Sequence, residues 1–75
     1  MIRIPVTSTD IKSVGYDAEQ QQLEVEFRRG SRIYTYKDVP AEVYRDLMTA
    51  SSLGKYFAAN VRGKYAFTTH EEVTS

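Results

Sequence analysis

Phe27–Phe57 reads F-R-R-G-S-R-I-Y-T-Y-K-D-V-P-A-E-V-Y-R-D-L-M-T-A-S-S-L-G-K-Y-F, and the order of its signals decides the fold. Arg29-Gly30-Ser31 marks a tight hairpin, because glycine takes the positive φ that such turns need. Arg32–Lys37 returns as a strand whose parity sets Tyr34 and Tyr36 on one face and Ile33 and Thr35 on the other. Asp38-Val39-Pro40 ends that strand. The proline holds Val39 extended and is well tolerated at the first position of a helix. Ala41–Ala50 is the helix, with Val43, Leu47 and Ala50 on a stripe that Tyr44 and Met48 widen. Glu42 falls in its first turn, where negative charge favours the helix dipole. Ser51 or Ser52 caps a second short helix running to Asn60, with Leu53, Phe57 and either Val61 or Tyr56 facing inward, and Gly63 ends it.

Outward from this stretch, Gln22–Arg28 alternates cleanly. Leu23, Val25 and Phe27 point one way and Glu24, Glu26 and Arg28 the other, the period of a half-buried strand. Before it, Ile11–Asp17 reads as a strand with Val14 and Tyr16 opposed to Ile11 and Ser13, and Ala18–Gln21 is the connecting turn. Gly15 inside that strand points to a bulge or to the close approach of another backbone. The expected fold is therefore α+β: a three-stranded antiparallel meander followed by two short helices packed on one face. Lys64–Thr68 can add a short extended segment with Tyr65 and Phe67 on one side. The chain reads as one domain with its core over about 8–67, and residues 1–7 and 70–75 read as loose ends.

Seventy-five residues lie near the lower size limit for folding without staples, and with no cysteine neither a disulfide framework nor a thiolate metal site can form. The nine aromatic residues and a hydrophobic share of 41% suit a globular domain. No apolar run approaches the roughly 20 residues needed to cross a bilayer, and the first residues lack the apolar stretch of a secretory signal. A cytoplasmic location is the expectation, without membrane attachment. Net charge is zero, but residues 1–27 carry −3 and residues 28–64 carry +5. That asymmetry points weakly to a basic patch rather than to indiscriminate polyanion binding.

A longer set of motifs, in one order, resembles a known family. Val14-Gly15-Tyr16-Asp17 is followed by Leu23-x-Val25-x-Phe27-x-x-Gly30, Tyr34-x-Tyr36 and Val39-Pro40. Ala50-Ser51-Ser52-x-Gly54-x-Tyr56-Phe57 and Arg62-x-x-Tyr65 complete the set. Together they resemble the KTSC domain family over about residues 8–67. The family is named for its occurrence at the C-terminus of some lysyl-tRNA synthetases, and it also occurs as a stand-alone small bacterial or phage protein. The resemblance implies a binding module and, through its company with a tRNA synthetase, RNA or tRNA as a partner. That implication rests on domain company, not on a site. One departure is Ala58, where relatives often carry Asn after the Tyr-Phe pair. If that Asn contacts a ligand, this chain lacks the contact.

Two readings of the tyrosines compete. Tyr34 and Tyr36 can be a stacking platform for unpaired bases, with Arg28, Arg29 and Arg32 holding phosphates. Alternatively they are core, since Ile33 and Thr35 alone would form a thin apolar patch. Core is the preferred reading, with Tyr34, Tyr36, Pro40 and Phe57 as the structural signature. The opposite sheet face, with Glu24, Glu26, Thr35 and Ile33, is then left to solvent or a partner, and its two acids disfavour RNA there. Candidate nucleic-acid contacts are Arg28, Arg29, Arg32, Lys55, Arg62 and Lys64 for phosphates, with exposed Tyr56 or Tyr65 for stacking.

No catalytic constellation stands out. His70 has no second histidine or cysteine beside it for a metal site. Glu24/Glu26 and Asp38/Glu42/Asp46 lack a cleft that would tune their acidity, and Ser51 and Ser52 lack a base. The expectation is a non-enzymatic module without cofactor, binding RNA or, alternatively, docking on a protein through a sheet edge or an exposed aromatic surface. Self-association through an unpaired strand edge is a third possibility for so small a core.

Overall fold

The computed structural model describes residues 2–30 and 32–71. Four strands come first: β1 (Arg3–Pro5), β2 (Ile11–Asp17), β3 (Gln22–Phe27) and β4 (Arg32–Tyr36). Two helices follow, α1 (Ala41–Thr49) and α2 (Leu53–Asn60), and then β5 (Phe67–Glu71). The strands form one antiparallel sheet in sequence order, β1-β2-β3-β4-β5, with the helix pair inserted before the last strand.

The central meander forms where period-two alternation demands it. Val14 pairs with Val25, Tyr16 with Leu23, Val25 with Tyr34, and Leu23 with Tyr36, so the large apolar side chains share one face. Against this face pack Val39 from the loop after β4, Leu47 from α1, Phe57 from α2 and Val61 just beyond it, all buried. Val43, Tyr44, Met48 and Leu53 lie partly buried around them. Tyr16 stacks on Tyr44 at 5.1 Å and donates its hydroxyl to the Val39 carbonyl, tying β2 to the entrance of α1.

The sheet has five strands, not the three expected. Residues 3–5, read as part of a loose end, pair with β2 from Arg3↔Gly15 to Pro5↔Ser13. The expected Lys64–Thr68 segment lies three residues further on, where Tyr36↔Phe67 through Arg32↔Glu71 complete the free edge of β4. His70, read as frayed, is therefore a strand residue opposite Ile33; residues 72–75 lie outside those described. Both outer strands exist because a partner strand offers an open hydrogen-bonding edge, which local alternation does not report.

Three further details have local causes. A register shift between Ile11 and Ser13 leaves Lys12 as the extra residue, which turns Ile11 onto the core face with Val14 instead of opposite to it. Of the two reasons expected for Gly15, the close approach of another backbone is the one found: a Cβ there would lie 2.7 Å from the Ile2 carbonyl. Pro40 sits at the N-cap of α1 with φ −64° and ψ 151°, one position ahead of the helix proper. Ser52, the N-cap of α2, accepts from the Lys55 N–H, and Gly63 takes φ +76° in the turn that leads to β5.

The sheet face away from the helices is not open. Arg3 donates from Nε to Ser13 Oγ at 3.2 Å and pairs with Glu24 and Glu26, while Ser13 donates to Glu26 Oε1 at 2.8 Å. Glu26 is 5% exposed and Ile33 3%, against the expectation that this face is left to solvent or a partner. The β1 strand, missed in the sequence, is what brings Arg3 across the two acids. No described helix is long and apolar enough to cross a membrane.

Candidate functional site: an arginine-rimmed aromatic cleft

Where the core face runs past the helix pair, between the β3–β4 hairpin and α2, it opens into a cleft of about 410 Å³. Its floor is aromatic. Phe27 meets Tyr34 edge-on at 5.0 Å and Phe57 at 5.6 Å, and Tyr36 meets Phe57 edge-on at 5.6 Å. Tyr34 stacks on Phe67 at 5.2 Å, which ties the cluster to β5. Such offset and edge-on contacts fix ring positions better than a disordered apolar patch would.

The rim is cationic. Arg29 and Arg32 reach the cleft from the two sides of the hairpin turn, and Arg62 from the turn after α2. Among the described residues, Asp10 is the one carboxylate in the lining. Arg29 and Arg62 form no ion pair with a carboxylate among the described residues. Arg62 is close enough to Tyr36 to act on its phenol. Burial, and then Tyr34, push the Tyr36 pKa above its ordinary 10.0, and Arg62 opposes them. The wall on the α2 side is low: Gly54 and Ala58, four residues apart and so on one helix face, both line it.

The sequence-derived basic residues divide. Arg29, Arg32 and Arg62 converge on the cleft. Arg28 turns the other way, donating to the Ser8 carbonyl at 2.8 Å and the Val6 carbonyl at 3.4 Å, and it lines a neighbouring hollow with Ser51, Ser52 and Gly54. Lys55 and Lys64 are exposed and line neither hollow. Tyr56 and Tyr65, expected to be exposed, are half-buried against the core cluster, and burial raises the Tyr56 pKa. Neither lines the cleft; both pack against the core instead.

Tyr36 and Phe57 are each 3% exposed, Tyr34 is half-buried, and Pro40 is exposed. The opposition between core and platform thus dissolves: Tyr34 and Tyr36 pack in the aromatic cluster and also line the cleft. Phe67, 49% exposed, was missed as part of the ring cluster, although it pairs with Tyr36 and so shares its face. Among the described residues no group of three or more His, Cys, Asp or Glu could hold a metal ion.

An antiparallel five-stranded meander with a helix pair inserted before its last strand defines the chain as a small α+β domain of one sheet and one helical layer. The profile of the KTSC domain matches residues 7–65, and the chain belongs to that family. An uncharacterised protein of Stutzerimonas stutzeri is 49% identical over 57 residues, covering 76% of this chain and 79% of its own length. A lysine–tRNA ligase of Nostoc punctiforme is 40% identical over 57 residues, which are 76% of this chain and 10% of the ligase. The crystal structure of a KTSC domain protein from Yersinia pestis superposes with a TM-score of 0.84 at 33% identity, covering 96% of this chain and 97% of that one.

Proposed function

We propose that the domain is a non-catalytic module that binds single-stranded RNA in the arginine-rimmed cleft. The observation that carries this reading is the convergence of Arg29, Arg32 and Arg62 on an aromatic floor. Stacking takes a base without regard to its identity, and guanidinium groups take phosphate oxygens in bidentate fashion. The volume lies within the roughly 300–1,000 Å³ of sites that hold compact ligands. A cytoplasmic setting goes with this role. The match to part of a lysine–tRNA ligase supports RNA as the polymer, with tRNA as the first probe.

The test is a titration with tRNA and with a single-stranded RNA oligonucleotide at low and moderate salt, using wild type and the double variant Arg29→Ala/Arg62→Ala. Micromolar binding that weakens with salt and is lost in the variant is expected. Absence of salt-sensitive binding would sink the RNA reading. It would favour the alternative, docking on a protein through the β1 edge, where Ile2 is 87% exposed and Ile4 49%.

A further inference from the structure

The aromatic cleft continues into a second hollow of different chemistry. The two share Thr9 and Gly54 in their linings, so they form one track with those residues as its saddle. Beyond the saddle the lining is hydroxyl-rich: Thr7, Ser8, Ser51 and Ser52, with Arg28 and, among the described residues, no carboxylate. We infer that the track holds a single-stranded RNA segment longer than one nucleotide, one nucleotide with its base and phosphate in the arginine-rimmed cleft and the next nucleotide's phosphate and sugar on the hydroxyl shelf. This rests on the RNA reading of the cleft and extends it.

The shelf is set up to donate. Ser8 Oγ accepts from the N–H groups of Asp10 and Ile11, and Ser52 Oγ accepts from that of Lys55, each at 3.4 Å. Each hydroxyl therefore keeps its own proton to offer to a phosphate oxygen. Arg28 spends two of its N–H groups on the carbonyls of Ser8 and Val6, and a guanidinium carries five. Donors without a facing carboxylate suit a sugar–phosphate backbone, whereas the ring-floored cleft suits a base.

Gly54 at the saddle is a residue that neither packing nor backbone explains. A Cβ there would meet nothing closer than Ser8 Oγ at 3.8 Å, ordinary contact distance, and its φ lies outside the left-handed range. Glycine within a helix lowers helix stability relative to alanine. Its lack of a side chain leaves the passage between the hollows open.

Two ligands and two variants test the assignment: a uridine hexanucleotide and uridine monophosphate, against Ser51→Asp and Gly54→Gln. Ser51 is exposed and absent from the cleft lining, so its substitution places a charge on the shelf alone. Ser51→Asp is expected to weaken the hexanucleotide about tenfold or more through like-charge juxtaposition while leaving the mononucleotide unchanged. Gly54→Gln is expected to weaken the hexanucleotide comparably without lowering the melting temperature. Wild-type hexanucleotide affinity in either variant, or equal losses for both ligands in Ser51→Asp, overturns the shelf and leaves the cleft reading standing. If wild type binds neither ligand, both fall.

Discussion

Arg3 lies across two acids on neighbouring positions of β3, and its removal tests how much that cover contributes. Its guanidinium pairs with Glu24 and Glu26, whose side chains are 14% and 7% exposed. Arg3→Ala is expected to lower unfolding free energy by about 1–3 kcal/mol, the range for stripping a partner from a buried polar group. The lower end applies where Ser13 still donates to Glu26. Urea unfolding measures it, and a change below a few tenths would mean that solvent replaces Arg3 at no cost. The tyrosines give a second prediction with a defined pH window. Burial is the first cause raising Tyr36, Tyr16 and Tyr56 above 10.0; Tyr34, Asp17 and Asp46 respectively add to it. As pH passes 10.0, the unfolded chain gives up phenolic protons that the folded chain keeps, so it binds fewer protons and stability falls with further rise. Below that point these groups are protonated in both states and contribute no slope. Tyr36→Phe keeps the ring and removes one share of the alkaline loss. Urea midpoints compared at about pH 9 and about pH 11 would register the difference; an unchanged alkaline slope would exclude Tyr36 as a contributor.

At the scale of elements, β1 is held to β2 by a close backbone approach, and Gly15 is its weak point. A Cβ at Gly15 would stand 2.7 Å from the Ile2 carbonyl, a backbone atom that no rotamer change can move aside. Gly15→Ala is therefore expected to loosen β1 and, with it, the cover that Arg3 gives to Glu26. The expected loss is about 1–3 kcal/mol, the range for overpacking. Amide exchange would show it as protection lost at Ile4 and at Val6, whose N–H donates to the Lys12 carbonyl, while β3 and β4 keep theirs. Uniform protection across all strands would contradict the assignment of β1 as a separately detachable edge. This strand also marks the limit of what was legible. β2, β3, β4 and both helices were readable because Leu23, Val25, Phe27 and the Val43–Leu47 stripe carry their own periodicity, with Gly30, Pro40 and Ser52 as punctuation. Arg3–Pro5 is too short to show a period, and Phe67–Glu71 has one large apolar residue in F-T-T-H-E. Both become strands through partners distant in sequence. The Lys12 bulge left no local signature either, so the burial of Ile11 was assigned to the wrong face.

For the whole molecule, the decisive quantity is how a chain of zero net charge concentrates cations at one place. The sequence showed the excess over residues 28–64 but not which members meet, because Arg29, Arg32 and Arg62 are joined only by the packing of α2 against the hairpin. Lys55 and Lys64 belong to the same excess and lie outside the cleft. A diffuse basic surface and a built cleft therefore predict different salt behaviour. Binding through three guanidinium–phosphate contacts gives a slope of log K against log salt of about −2, from about −0.7 per contact for single strands. Arg62→Ala is expected to reduce that slope by about 0.7, whereas Lys55→Ala and Lys64→Ala leave it unchanged. Engagement of Arg28 on the shelf adds a further contact and steepens the wild-type slope for a hexanucleotide to about −2.8. Fluorescence anisotropy across a salt series reads all of these. If all six basic residues contributed equal increments, the affinity would come from the general field of the surface. An increment confined to Arg29, Arg32 and Arg62, with Arg28 counted only for the longer ligand, is the signature of a strand seated in the track.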